Sequence, residues 1–114
     1  LFYAFNFAPG CVVASSKAEI SAPIDLERVV AAIYLAEGGA NAKKPFGILS
    51  VPCSGYQDCR QVCLNTVRNT YRRWQTAGNP GQFLVYLGSR YAPPSAHPLN
   101  RHWVRNVRRL LNAE

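Results

Sequence analysis

Acidic side chains are scarce in this sequence of 114 residues. Asp and Glu number 6 against 13 Lys and Arg, so the formal net charge is +7 and the sequence pI is about 9.6. This excess of positive charge predicts attraction to something polyanionic. Nucleic acid, an acidic membrane and the anionic bacterial wall all meet that description, and charge by itself does not choose among them.

Zinc-type CxxC pairs are also absent. The cysteines are Cys11, Cys53, Cys59 and Cys63, and their number in so short a chain favours an oxidising compartment and a structural disulfide over a metal. On one helix, Cys59 and Cys63 would have Cβ atoms about 5–6 Å apart, wider than the roughly 3.5–4.5 Å of a disulfide. That spacing argues against a 59–63 bridge. The pairing otherwise stays open, and Cys63 could equally be a buried thiol.

No apolar run is long enough to span a membrane. Residues 1–16 are uncharged and rich in Leu, Phe, Val and Ala, but Asn6, Pro9 and Gly10 interrupt them. They are read either as the tail of an export signal or as an apolar N-terminal arm packed on the domain. Residues 17–114 are expected to form one monomeric domain, without internal repeats and without a metal or cofactor.

Glycine and proline divide the chain into short amphipathic helices, which predicts a mostly α fold. Apolar periodicity predicts helices over about residues 25–37, 54–78, 79–88 and 100–112. The expected cap residues are Asp25, Ser54 with Gln57 in a capping box, Asn79, and Gly88 as the end of the third helix. Residues 48–51 are apolar and could form a short strand. The proline-rich loop at 89–98 is long enough to be a candidate for function.

One carboxylate lies on an apolar helix face. Leu26, Val30, Ile33 and Glu37 follow at offsets of four, three and four, which places them on one side of the first helix. Burial on that face and the negative end of the helix dipole would both raise the pKa of Glu37. A Glu that stays protonated near neutral pH suits a general acid, most commonly one that serves a glycosidic oxygen. The alternative is a helix-terminal Glu that turns into solvent.

No second carboxylate is an obvious partner for Glu37. Asp25 and Glu27 begin the first helix and Asp58 begins the second, where capping and the helix dipole explain them. Glu19 and Glu114 lie near the chain ends. A two-carboxylate glycosidase mechanism therefore lacks its partner, and a single-acid mechanism is favoured.

Other side chains with chemical potential have simpler explanations. His97 and His102 have no nucleophile tied to them and are read as exposed residues. Trp74 and Trp103 fall at helical spacing and are read as core residues and not as sugar platforms. The arginines scatter over several helices with no recognition helix, which makes nucleic-acid binding the least favoured function.

Several short motifs occur in an order that is typical of one family. Ala-Glu-Gly-Gly stands at residues 36–39 and Pro-Phe-Gly-Ile-Leu-Ser at 45–50, followed by a long basic helix. Tyr-Leu-Gly at 86–88 and Arg-Tyr-Ala at 90–92 precede a final helix that carries a tryptophan. In this order the chain resembles the lytic transglycosylases of the goose-type lysozyme superfamily over about residues 25–111. The Arg-Tyr-Ala segment is similar to that of related wall-cleaving glucosaminidases.

The resemblance implies a lysozyme-like fold and an enzyme of the cell envelope, periplasmic or secreted. Its substrate would be the bond between N-acetylmuramic acid and N-acetylglucosamine in peptidoglycan. Glu37 would protonate the glycosidic oxygen and then, as a base, take the proton of the muramyl 6-hydroxyl to give a 1,6-anhydro product.

The resemblance also implies the sugar contacts. The substrate-binding residues would be Gly47, Ile48, Ser50, Tyr86 and Tyr91, with Tyr91 preferred over Tyr86 as the phenol that faces the acid. The chain departs from the family at Gly38, where Ser is usual, and at Ser50, where Gln is usual. The departure at Ser50 suggests a non-catalytic wall-binding or envelope-assembly domain of the same fold as the main alternative. A basic helical nucleic-acid-binding domain is the third.

Overall fold

The structure is a computed structural model that describes residues 24–49 and 51–113. The predicted N-terminal arm or signal remnant at 1–16 lies outside these residues, as does Ser50. The described residues form four α-helices: α1 (Leu26–Ala36), α2 (Gly55–Thr76), α3 (Phe83–Tyr91) and α4 (Trp103–Asn112). Short 3₁₀ helices cover Gly39–Asn41, Pro45–Gly47 and Pro98–His102. The mostly α fold is therefore confirmed.

The short strand expected at residues 48–51 does not form in the part of the segment that the structure describes. Ile48 and Leu49 follow the 3₁₀ turn without regular structure, and Val51 lies in a bend. A strand needs a partner for its backbone groups, and residues 24–49 and 51–113 contain no second strand. Instead, Ile48 is buried in the core, whereas Leu49 is 81% exposed.

Helix α1 forms as the periodicity predicts. Asp25 caps it, because the carboxylate accepts the backbone N–H groups of Glu27 and Arg28 at 3.0 and 3.3 Å. On the inner face Val30 and Ile33 are fully buried. Glu37 is the C-cap residue, one position beyond the last helical residue. The expected placement of Glu37 at the end of an apolar face is therefore confirmed.

The N-terminus of α2 differs in detail from the predicted capping box. Ser54 is the N-cap residue, but its hydroxyl makes no capping hydrogen bond. The reciprocal bond comes from Asp58 and not from Gln57, since the Asp58 carboxylate accepts the Ser54 N–H at 2.8 Å. The prediction of a capping box with Gln57 is thus wrong by one residue. The shorter Asp side chain reaches back from the next position on the same turn.

A disulfide ties this first turn to the preceding loop. Cys53 and Cys59 are bonded, with Cα atoms 5.1 Å apart, while Cys63 is a fully buried thiol. Cys59 is therefore not bonded to Cys63, as the helical spacing of the two residues predicts. Of the sequence-based alternatives, the structure selects the one in which Cys63 belongs to the core.

The predicted boundaries of α3 are wrong at both ends. Asn79 is not an N-cap: it adopts a left-handed conformation with φ 55°, and its N–H bonds to Trp74 O at 2.8 Å, closing α2. Gln82 is the N-cap of α3. Gly88 lies inside the helix and not at its end, because its missing side chain gives space to α4. A Cβ on Gly88 would lie 2.9 Å from Val104 Cγ2 and 3.2 Å from Trp103 Cε3.

The core lies where α1 packs against α2 and α4 and where α3 joins α2 to α4. Trp103 was predicted to be a core residue and is only 6% exposed. The other members of the core are apolar residues from every α-helix and from the Pro45–Gly47 turn. They include Val29, Val30, Ile33, Phe46, Cys63, Val67, Leu87 and Val107.

We expect Gly88→Ala to lower the free energy of unfolding by about 1–3 kcal/mol, because the added methyl group overpacks the α3–α4 contact. Chemical denaturation monitored by circular dichroism measures this change. Ser89→Ala is the matched control in the same helix. It removes one exposed hydrogen bond, from Ser89 Oγ to Tyr86 O at 2.7 Å, and should stay within about 0.5 kcal/mol. An equal loss in both variants would contradict the packing argument.

Candidate active site

The Glu37 carboxyl group lies directly against the backbone of Gly47. A Cβ placed on Gly47 would be 2.5 Å from Oε1 and 2.6 Å from Cδ of Glu37. Gly47 also has φ 68°, a conformation that favours glycine. The backbone angle therefore favours glycine at this position, and a side chain here would push the Glu37 carboxyl group out of its place.

The turn that holds Gly47 is anchored by Phe46. The ring of Phe46 is fully buried, and it contacts the rings of Tyr34 and Tyr56 at centroid distances of 5.0 and 5.6 Å. Phe46 adopts φ 62°, which is strained for a residue with a side chain. Burial of the ring offsets this cost, so aromatic packing fixes the turn beneath Glu37.

Trp103 is the hydrogen-bond partner of the acid. Its indole Nε1–H donates to Glu37 Oε2 at 2.9 Å. Trp103 was predicted to lie in the core, which is correct, but its bond to Glu37 was not predicted. A signal was available, since a buried indole N–H almost always needs an acceptor. The sequence contained no indication of which acceptor it would be.

The environment raises the pKa of Glu37. Burial disfavours the ionised carboxylate and raises the pKa above its ordinary value, while the Trp103 hydrogen bond favours the carboxylate and lowers it, with a net upward shift. The direction agrees with the sequence-based expectation. Its main cause is desolvation on the apolar face.

Tyr91 braces the turn and does not bond to the carboxyl group. Its hydroxyl donates to Phe46 O at 2.6 Å and lies 3.4 Å from Cys63 Sγ. Burial raises the pKa of both groups, that of Cys63 to about 11. The Tyr91 ring also stacks on Trp103 with centroids 5.5 Å apart. The phenol therefore supports both neighbours of the acid: the Phe46–Gly47 backbone and the indole.

A cleft of about 600 Å³ opens beside Glu37. Of the sequence-predicted site residues, Glu37, Gly47, Ile48 and Tyr91 line it. The other lining residues are Leu49, Val51, Val62, Thr66, Arg90, Ala92, Pro93, Ala96, His97 and Asn100. Ser50 lies outside the described residues, although both of its chain neighbours line the cleft. Tyr86 is not brought to this cleft and lies in a separate depression with Arg72 and Arg73.

The proline-rich loop forms one wall of the cleft. Asn100 holds it by donating from Nδ2 to Pro93 O at 2.9 Å. His97 Nδ1 accepts the Leu99 N–H at 3.1 Å, which assigns the ring proton of a neutral imidazole to Nε2. Pro93, Ala96 and His97 of this loop thus line the same cleft as Glu37.

Among the described residues, Glu37 is the only carboxylate that lines the cleft. Asp25 and Asp58 cap helices, and Glu27 forms an ion pair with Arg60. The cleft therefore combines one half-buried acid with apolar walls, a guanidinium group from Arg90 and a few neutral polar groups. Such a site can donate a proton and take it back. Residues 24–49 and 51–113 supply no second carboxylate to the cleft.

Within the same residues, no group of three or more His, Cys, Asp or Glu side chains is placed to hold a metal ion. No helix in this part of the chain is long and apolar enough to cross a membrane. Comparison with protein-family models, with curated proteins and with solved structures finds no match to this chain.

We expect Gly47→Ala to destabilise the protein more than Gly81→Ala. The two glycines have nearly equal φ angles, 68° and 66°, so each alanine incurs a backbone cost of about 1 kcal/mol. A Cβ on Gly47 would overlap with the carboxyl group of Glu37, whereas a Cβ on Gly81 meets nothing within 4 Å. Thermal and chemical unfolding should show an additional loss of about 1–3 kcal/mol for Gly47→Ala. Equal losses would mean that Glu37 does not pack against this backbone.

We expect Trp103→Phe to raise the pKa of Glu37 further, because it removes the hydrogen bond that favours the carboxylate. The pKa is read from the Glu37 Cδ chemical shift in an NMR titration, and in the wild type it should already lie above the ordinary value. Trp74→Phe is the matched control. The Trp74 indole donates to Pro80 O at 3.2 Å, so this variant should leave the Glu37 titration unchanged. A lower Glu37 pKa in Trp103→Phe would contradict the assignment of the bond.

Proposed function

We propose that this chain is a peptidoglycan lytic transglycosylase with Glu37 as its only acid and base. The observation that carries the proposal is the half-buried Glu37 carboxyl group, whose pKa is raised in a cleft with no other described carboxylate. The lysozyme-like fold and the MurNAc–GlcNAc bond as substrate come from the resemblance of residues 36–39, 45–50 and 90–92 to the goose-type superfamily. The all-helical described fold is compatible with that resemblance.

In the first step Glu37 acts as a general acid. Trp103 Nε1–H occupies Oε2, which leaves Oε1, on the Gly47 side, to carry the proton. Transfer of this proton to the glycosidic oxygen lets the N-acetylglucosamine leaving group depart with both electrons of the bond. The substrate's own N-acetyl group stabilises the positive charge at the anomeric carbon. The indole N–H then stabilises the carboxylate that remains.

In the second step the same carboxylate acts as a base. It takes the proton of the muramyl 6-hydroxyl while that oxygen forms a bond to the anomeric carbon, which closes the 1,6-anhydro ring. Glu37 is protonated again and the cycle is complete. This sequence uses neither a water nucleophile nor a second carboxylate, in agreement with the set of residues that lines the cleft.

The proposed sugar contacts follow from the cleft walls. The Gly47–Ile48 backbone lies beside the acid and offers polar groups to a sugar, and we assign Ser50 the hydroxyl contact that the resemblance implies. Leu49 and Val51 are exposed at 81% and 44% and present apolar surface to the faces of the rings. Tyr91 positions Phe46 and Trp103, so its contribution to the reaction is made through them.

The setting we propose is the cell envelope, periplasmic or secreted. The Cys53–Cys59 disulfide is compatible with an oxidising compartment. The net charge of +7 would favour retention on an anionic wall. Peptidoglycan glycan strands are then the partner, and the enzyme acts as a monomer.

One observation favours a second candidate, a wall-binding module without turnover. The Tyr91 hydroxyl donates to Phe46 O at 2.6 Å and makes no hydrogen-bond contact with the Glu37 carboxyl group, which the resemblance expects the phenol to face. A domain that binds glycan but lacks this contact would retain affinity without cleavage.

Digestion of purified peptidoglycan followed by mass spectrometry tests the proposal. We expect anhydro-ended muropeptides from the wild type and a loss of about 10²–10⁴-fold in rate for Glu37→Gln, because the acid is removed. Glu27→Gln is the matched control, since it makes the same change at an exposed residue and should retain activity. The rate should fall as the pH rises through the raised pKa of Glu37, because the protonated form is then depleted.

Three outcomes would contradict the assignment. Reducing-end products would indicate a hydrolase, and full activity of Glu37→Gln would exclude Glu37 as the acid. Binding of peptidoglycan without products from the wild type would favour the wall-binding module.

A further inference from the structure

The positive charge of this chain is concentrated in one part of the sequence. Between Cys59 and Ala113 there are nine arginines and neither Asp nor Glu. The described carboxylates other than Glu37 lie at the starts of α1 and α2, where Glu27 pairs with Arg60 and lies 3.9 Å from Arg68. Arginines further along α2 therefore have no described carboxylate in ion-pair range.

Two of these arginines line a separate depression. Arg72 and Arg73 lie in the last turns of α2, and the depression between them and α3 has a volume of about 580 Å³. The remaining lining residues are Asn69, Thr76, Ala77 and Tyr86. Among the described residues, this lining shares no member with the Glu37 cleft, and Tyr86 belongs to it and not to the predicted sugar site.

The polar groups of the depression are suited to an anion. Arg72 Nη2 donates to Asn69 Oδ1, so the Asn69 acceptor is occupied and its Nδ2 amide remains as a donor. Thr76 and Tyr86 add hydroxyl groups. Two adjacent guanidinium groups without a carboxylate repel each other, and a bound anion would relieve that repulsion.

Phosphate fits this arrangement better than a single carboxylate. Each guanidinium is a planar fork that binds two oxygens of an oxyanion, and a tetrahedral phosphate can serve two forks at once, whereas one carboxylate fills only one. The volume also exceeds what one phosphate needs. The Tyr86 ring and Ala77 offer less polar surface for the groups that flank a phosphodiester.

We propose that Asn69, Arg72, Arg73, Thr76 and Tyr86 form a binding site for the phosphate groups of an extracellular phosphodiester polymer of the polyol-phosphate type. The Cys53–Cys59 disulfide favours a partner in an oxidising compartment over intracellular nucleic acid. Tyr86 is the only aromatic residue among the described residues of the depression, so they provide no series of stacking platforms for bases. The site is independent of the proposed Glu37 chemistry.

Calorimetric titration of the full chain with a short synthetic glycerol-phosphate oligomer tests this site. We expect saturable, salt-dependent binding that Arg72→Gln/Arg73→Gln weakens by about tenfold or more. Arg105→Gln/Arg109→Gln removes the same charge from α4 and should weaken binding by about twofold. Arg72→Lys/Arg73→Lys keeps the charge but loses the forks, and should weaken binding by about threefold or more. Glu37→Gln should bind the oligomer like the wild type, so the phosphate site can be correct even if the enzymatic proposal fails.

Several results would contradict the proposed phosphate site. They are absence of saturable binding, equal losses in the α2 and α4 double variants, wild-type affinity in the double Lys variant, and tighter binding of a duplex DNA of equal charge. Circular dichroism establishes that each variant is folded. If the double Gln variant does not fold, the decision rests on the double Lys variant and on NMR shifts of the Arg72 and Arg73 side-chain N–H signals in the wild type. Shifts confined to other arginines would refute the proposal.

Discussion

The hydrogen bond from Trp103 to Glu37 connects the end of α1 to the beginning of α4, and the site depends on it. It satisfies two polar groups that would otherwise be costly to bury: an indole N–H and a carboxyl oxygen. It also fixes the carboxyl group, because Gly47 closes the other side. The two helices can therefore pack closely without leaving an unpaired polar atom at the contact, and the acid has one defined orientation.

The parts of the fold that were predictable from sequence are those decided by local interactions. Asp25 caps α1 and Glu37 ends it, because capping, apolar periodicity and the glycines that follow all act within one segment. The scarcity of carboxylates likewise predicted that Glu37 would have no acidic partner, and among the described residues no other carboxylate lines its cleft. These properties depend on residue type and spacing, which the sequence contains directly.

The errors arose where contacts between distant segments decide the outcome. Gly88 has the sequence signature of a helix end, but α4 approaches so closely that only glycine fits there, and the helix continues to Tyr91. Tyr86 and Tyr91 are five positions apart on one helix, and their different surroundings depend on how α3 is placed against α2. Trp103 could be recognised as buried, but its acceptor lies 66 residues away in the sequence. Periodicity contains no information about such pairs.

The backbone of Phe46 has a consequence for how this protein can vary. The left-handed conformation with φ 62° is easiest for glycine or asparagine, but either would remove the ring that fills the space beside Tyr34 and Tyr56. A tyrosine would keep the ring and would need a partner for its hydroxyl in a fully buried position. A β-branched residue neither adopts this left-handed conformation easily nor supplies a ring. Position 46 should therefore be among the least mutable in the chain, although it donates no side-chain group to the cleft.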